Sequence, residues 1–231
     1  MIDGVIFDKD GTLFDFRKSW GAWSVRLLDS LARDEAHAEA LAQAIGYDRA
    51  SQDFLPHSPV IAATALEIAA ELVPFLPELS QEDIAERMNA MAHSARMEEV
   101  IPLRPALLAL REIGLRIGLA TNDTEAPAKA HLAAHDIVDM FDFVAGCDSG
   151  HGAKPAPGML LAFANQHGLT PARVVMVGDS RHDLIAGRAA GMQTIAVLTG
   201  IATSEELAPH ADAVLPDIGA LKAWILARRA T

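Results

Sequence analysis

The chain has 231 residues, 51% of them hydrophobic, enough to bury roughly 70% of its unfolded surface, so a disordered chain is excluded. Its 19 lysines and arginines against 31 aspartates and glutamates give a net charge of −12, which repels phosphate backbones and anionic surfaces and sets general nucleic-acid or membrane binding aside. Cys147 is the only cysteine, which excludes a disulfide framework and a thiolate metal cluster. No apolar run approaches ~20 residues, and Met1-Ile2-Asp3-Gly4 lacks the basic segment and long apolar stretch of a secretion signal. A soluble, cytoplasmic protein is the expectation.

In chain order, the first element is a β-branched run at residues 5–7, read as a buried strand. It ends in Asp8-Lys9-Asp10-Gly11-Thr12. Aspartates at i and i+2 on an extended segment point the same way, and Gly11 permits a tight turn. The doublet fits a hard divalent cation or a nucleophile with its acid/base partner; a solvated Asp-Gly turn fits it equally. Lys9, at i+1, is expected to point away from both carboxylates. No comparable strand follows until residue 116. The intervening chain is Ala-rich with a helical period over 19–33, 35–45, 59–72 and 81–95. Ser80-Gln81-Glu82-Asp83 opens the last of these with a capping box, and Val73-Pro74-Phe75-Leu76-Pro77 breaks the third from the fourth. Trp20, Trp23 and Leu27 fall at i, i+3 and i+7, a packing stripe. Residues 17–99 are therefore expected to form a helical insert, with 1–16 and 100–231 making one α/β core.

From residue 105, helices at 105–113, 126–134, 157–167, 181–190 and 218–229 alternate with strands at 116–120, 143–145, 174–177, 194–198 and 213–215. That alternation predicts βαβ units in a parallel sheet covered on both faces. Such sheets bind ligands beyond the carboxyl ends of their strands. The strand after the insert ends in Thr121-Asn122-Asp123, a hydroxyl and helix-start amides that hold a phosphate oxygen or simply cap the helix. The next loop contains Gly152-Ala153-Lys154-Pro155, with one lysine among few other cations. The strand at 174–177 ends in Gly178-Asp179-Ser180-Arg181-His182-Asp183: Asp179 can meet a metal held by the first strand, and Ser180 with Asp183 makes a capping box. Each motif has a bland reading as a cap or turn. Four in succession, one after each strand end, do not.

Together, Asp8-x-Asp10-Gly11-Thr12, Thr121-Asn122, Lys154-Pro155 and Gly178-Asp179-Ser180-x-x-Asp183 resemble the four motifs of the haloacid dehalogenase-like (HAD) superfamily of phosphotransferases. Gly187-x-x-x-Gly191 and Lys154-Pro155-x-Pro157 look like its phosphoglycolate phosphatase-like branch. The resemblance implies an α/β fold, a Rossmann-like doubly wound parallel sheet with an inserted α-helical cap. It also implies a Mg²⁺-dependent phosphatase acting on a small phosphorylated metabolite, phosphoglycolate favoured, through an aspartyl-phosphate. Asp8 would be the nucleophile, and Asp10 the acid and base. Asp8, Asp10 through its backbone carbonyl, and Asp179 would hold Mg²⁺. Thr121 and Lys154 would act on the phosphoryl group, with Gly11, Thr12 and Asn122 as further phosphate contacts. Asp183, beside Ser180, would orient Lys154 or a metal-bound water. Arg17, early in the cap, is a candidate partner for a substrate carboxylate; His57, His93 and Arg96 are further candidates, each read against individually, and His151, close to Lys154 in sequence, reads better as an exposed loop residue. Two departures from the pattern stand out: Lys9 occupies a usually apolar position, and Leu103-Arg104-Pro105 replaces a Pro-Gly-rich entry to the core. A mutase of the β-phosphoglucomutase type and a catalytically silent binding protein of the same fold are the alternatives, and a monomer and a homodimer fit equally.

Overall fold

The computed structural model describes residues 2–229. Strand β1 (Gly4–Phe7) is followed by helices α1 (Phe16–Leu31) and α2 (Glu35–Ala44), a ribbon of β2 (Tyr47–Asp48) and β3 (Asp53–Phe54), then α3 (Ala65–Leu72) and α4 (Gln81–Ala92). From there the chain alternates: α5 (Leu103–Arg111), β4 (Arg116–Ala120), α6 (Glu125–Ala134), β5 (Phe143–Ala145), α7 (Gly158–Gln166), β6 (Val174–Gly178), α8 (Arg181–Ala189) and β7 (Gln193–Val197). A short α9 (Ser204–Leu207), β8 (Ala213–Leu215) and α10 (Leu221–Arg229) complete it. Among the described residues no helix is long and apolar enough to cross a membrane.

The six-stranded sheet runs β5-β4-β1-β6-β7-β8, every pairing parallel. The doubly wound parallel sheet expected from the alternation is present, with β1 at its centre. Val5 and Phe7 bury into the larger apolar cluster, which takes in α1 and α5; Ile6 and Met176 face the smaller one around Phe163 of α7 and Ala186 of α8. Because β1 pairs with β4 on one side and β6 on the other, successive strands leave it in opposite directions. A crevice opens at such a reversal, at the carboxyl ends of the strands.

The helical insert departs from expectation in detail. The run at 59–72 is broken. Ser58 caps a single 3-10 turn, Pro59–Ile61, and α3 starts afresh at Thr64, whose hydroxyl and Glu67 form a reciprocal capping box. The helix read as 19–33 begins earlier, at Phe16, because the Asp15 carboxylate accepts from the Lys18 amide. The Ser80–Asp83 box at the start of α4 is present as read. The β2–β3 ribbon and α9, the latter opened by a Thr203–Glu206 box, were not anticipated. The insert leaves and rejoins the core at one place: the Asp15 amide donates to Glu98 O at 2.7 Å, the Val100 amide to Leu13 O at 3.1 Å, and Phe14 and Glu99 form an antiparallel bridge.

Candidate active site

The four polar motifs converge in the crevice. Asp8 leaves the end of β1, its amide held by Val177 O of β6 at 2.9 Å. Lys154 comes from the loop after β5, and its Nζ donates to Asp8 Oδ1 at 2.5 Å and to Asp183 Oδ1 at 2.7 Å. The other Asp183 oxygen accepts from the Ser180 hydroxyl at 2.7 Å and the Ser180 amide at 3.0 Å. The capping box read from sequence therefore also fixes the lysine: one carboxylate does both jobs. Gly178 is required here, since a Cβ on it would lie 2.3 Å from the Asp183 Cβ. Asp179 completes the group, and oxygens of Asp8, Asp179 and Asp183 lie within 4.8 Å of one another.

These groups are buried, and burial sets their ionisation. Desolvation pushes the Asp8 carboxyl up to about 7, despite Lys154 beside it, with Asp183 and Asp10 adding repulsion. Burial drives Asp179 well above the ordinary carboxylate range, reinforced by Asp183 and Asp8. For Lys154, burial works against the ammonium, but Asp183 and Asp8 together outweigh it and hold the lysine charged. Three carboxyl groups share one ammonium in this buried cluster, so their full ionisation leaves two negative charges unbalanced. Oxygen donors alone, crowded and short of two positive charges, suit one hard divalent cation. This donor set fits Mg²⁺.

Lys9 corrects the sequence reading. It does not point away from Asp10. Its fully buried Nζ lies 2.8 Å from both Asp10 oxygens and 3.4 Å from Asp123 Oδ2, and 5.2 Å from the centre of the Trp20 ring. The Trp20 indole N–H also donates to Asp10 Oδ1, at 2.7 Å. Asp10 is thus gripped by a core lysine and by an aromatic residue of the insert, neither of which the sequence had assigned to the site. Burial lowers the affinity of Lys9 for its proton, but Asp10 and Asp123 more than restore it.

The remaining candidates are less uniform. Thr121 is buried on the cleft, its oxygen accepting from the Asp123 amide at 3.1 Å. The Asn122 side chain ties three segments together. It donates to Ala62 O of the insert and to Lys154 O, and accepts from the Lys154 amide, each at 2.8 Å. Gly11 and Thr12 do not line the cleft. The Thr12 hydroxyl approaches Asp179 Oδ1 at 3.4 Å, and Gly11, at φ +77°, lies where a Cβ would come within 2.3 Å of Asp179 Oδ2. Both help to position Asp179. Gly200 does the same from the end of β7, where a Cβ would stand 1.7 Å from that oxygen, and the Thr199 hydroxyl holds Gly11 O at 2.6 Å. Thr199-Gly200 was missed, although it too follows a strand end. Arg17 faces outward, its Nε donating to the Asp53 carboxylate of the β2–β3 ribbon at 2.8 and 3.1 Å. His57, His93, Arg96 and His151 are exposed and do not line the cleft. Burial pushes the Cys147 thiol up to about 11, so it is no nucleophile near neutral pH.

Between insert and core lies a cleft of about 670 Å³, part of it open to solvent. Asp8, Asp10, Thr121, Lys154 and Asp183 form its floor; Phe16, Trp23, Ile61 and Met88 are among its insert-side walls. A buried carboxylate beside a fixed cation, at the floor of a cleft with apolar walls, can act on an electrophile that carries negative charge.

A family model described as haloacid dehalogenase-like hydrolase matches residues 2–191. The phosphoglycolate phosphatase of Pseudomonas putida is 32% identical over 197 residues, covering 85% of this chain and 69% of that protein. That of Vibrio cholerae is 29% identical over 233 residues, 96% of each. The crystal structure of β-phosphoglucomutase from Clostridium difficile superimposes with a TM-score of 0.69 at 20% identity, over 99% of this chain and 97% of the other.

Proposed function

The chain belongs to the haloacid dehalogenase-like hydrolases, and from that premise we propose that it is a Mg²⁺-dependent phosphatase, hydrolysing a small-metabolite phosphate monoester through an aspartyl-phosphate intermediate. Residues 17–99 are the cap in this reading, and 1–16 with 100–231 the catalytic core. The observation that carries it is the Lys154 ammonium between Asp8 and Asp183, beside Asp179, in a buried pocket.

A carboxylate attacks a phosphate dianion only if the dianion's charge is offset. Lys154 supplies one cation. Asp8, Asp179 and the Asp10 carbonyl would hold Mg²⁺, which when bound supplies the rest of that charge neutralisation. An Asp8 carboxylate oxygen bonds to phosphorus as the bond from phosphorus to the ester oxygen breaks, and Asp10 gives the departing alcohol its proton. Asp10 then takes a proton from a water molecule as that water attacks the phosphoryl group, freeing Asp8 and inorganic phosphate. Thr121 and backbone N–H groups near Asn122 steady the phosphoryl oxygens. Asp183, held by Ser180, keeps Lys154 aimed.

Relatives that bear the name phosphoglycolate phosphatase make phosphoglycolate the first ester to assay, and the cytoplasm is the proposed compartment. The test is release of inorganic phosphate from a panel of monoesters, with Mg²⁺ and with EDTA. Release with Mg²⁺ that EDTA abolishes is the expected result. Isomerisation of a sugar phosphate without net phosphate release would overturn the hydrolytic reading in favour of a mutase. No reaction with any ester would leave a binding protein.

A further inference from the structure

The insert's contribution to the cleft is almost wholly apolar. Phe16, Trp20 and Trp23 of α1, Ile61 of the 3-10 turn and Met88 of α4 face it, and among the described residues the polar side-chain groups the insert supplies there are the Asn89 amide and the indole N–H groups of Trp20, committed to Asp10, and Trp23, buried without a partner. Trp20, Trp23, Phe16 and Met88 are all buried. No arginine or lysine of the insert reaches the cleft: Arg17 is outside it on Asp53. On the core side Lys154 is committed to Asp8 and Asp183, and His182 stands exposed at the rim. A substrate carboxylate against these walls would lose its water without gaining a cation, and a polyhydroxy chain would lose more hydrogen bonds than Asn89 and the lone Trp23 indole N–H replace on the insert side. An apolar group loses nothing and buries surface.

We infer that the alcohol part of the substrate is neutral and apolar, of a size and flatness that meets the Phe16, Trp20 and Trp23 rings, and is neither a hydroxy acid nor a sugar. This inference rests on the phosphatase reading and deepens it. The core handles the phosphate in any monoester. The insert selects what the phosphate is attached to, because it forms the wall on that side. Selection here comes as much from rejection as from attraction, since a site that strands a polar group in an apolar wall discriminates more strongly than one that adds a methylene contact.

The test compares three primary alkyl phosphates, in which the same kind of bond breaks: benzyl phosphate, phosphoglycolate and glycerol 1-phosphate. The full chain is assayed with Mg²⁺, and kcat/KM is taken from phosphate release. Benzyl phosphate is expected to exceed both others by at least about tenfold. Phosphoglycolate or glycerol 1-phosphate turned over as well as benzyl phosphate overturns the inference and leaves the phosphatase standing. No release from any of the three, under conditions where the protein is folded, overturns both. Ile61→Arg, at a partly buried wall position away from the catalytic groups, is expected to cut the benzyl advantage over phosphoglycolate at least about tenfold, through KM. If that variant fails to fold, Met88→Ala is expected to raise KM for benzyl phosphate and leave phosphoglycolate unchanged. An unaltered ratio in a folded variant of either kind overturns the assignment of these walls.

Discussion

Two buried lysines divide the polar groups of the crevice between them. Lys154 neutralises Asp8 and Asp183, whereas Lys9 neutralises Asp10 and Asp123. In the proposed mechanism the first pair of contacts serves the chemistry, so Asp8→Asn is expected to keep the fold and lower phosphate release at least about a thousandfold; circular dichroism and single-turnover assays check both halves. The second pair is structural first. Lys9→Met would leave Asp10 and Asp123 facing each other without a cation, at a cost of about 3 kcal/mol, read as a lower midpoint in urea at an unchanged m-value. An unchanged midpoint would mean that the two carboxylates find other partners. Lys9 also shows where strand logic stops. Alternation puts i+1 on the opposite face only while the backbone stays extended, and β1 ends at Phe7. Beyond it the chain turns, Leu13 and Phe14 amides both returning to Lys9 O, and the lysine comes round beside its neighbour.

At the scale of elements, α8 carries the clearest packing constraint. A Cβ on Gly187 would meet Thr194 Cγ2 of β7 at 2.6 Å and Met176 Cβ of β6 at 2.9 Å. Gly187→Ala is therefore expected to destabilise by about 1–2 kcal/mol, because overpacking outweighs the gain of up to ~1 kcal/mol that alanine brings to a helix; thermal or chemical denaturation measures the sign. The same helix starts at Ser180 and Asp183, so a shift of its axis moves the group that aims Lys154, and kcat should fall with stability. The strands of the core were legible because β1, β4 and β6 are short apolar runs between turn residues. The polar residues that gather in the crevice were legible because each follows one of those runs directly. The insert was harder. An Ala-rich period runs on through residues 59–72, and only the side-chain caps at Ser58 and Thr64 interrupt it. The β2–β3 ribbon, two residues a strand, is too short for any alternation to register. Trp20 read as a packing residue, which it is through Trp23 at 4.9 Å; its indole N–H on Asp10 depends on where α1 lies over the core, a tertiary fact with no local signature.

For the molecule as a whole, the charge imbalance of the crevice couples cation binding to protons. Asp8, pushed up to about 7 by burial, is protonated in part near neutrality without a cation, burial shifts Asp179 in the same direction, and a cation must displace bound protons to bind. Affinity for Mg²⁺ is therefore expected to rise with pH below 7, by about tenfold per unit for each proton released, and to level off above it as Asp8 ionises. Calorimetry in buffers of different ionisation enthalpy counts the protons. A pH-independent affinity between 5.5 and 7 would mean that the cation binds elsewhere. Binding should also raise the melting temperature in proportion to the logarithm of Mg²⁺ concentration above the dissociation constant, since the carboxylates converge only in the folded chain.

The bridge between Phe14 and Glu99 has a reach beyond local geometry. None of the sheet's strand pairings uses a residue between those two positions, and the chain leaves and returns at adjacent points, so the core meets the helical insert as if it were a closed loop whose contents cost it little more than a short one. Such a junction is a socket. What fills it can be lengthened, recomposed or exchanged while the strands and their carboxylates stay in register, so a lineage can keep one reaction and change its diet by rewriting a single contiguous stretch of gene.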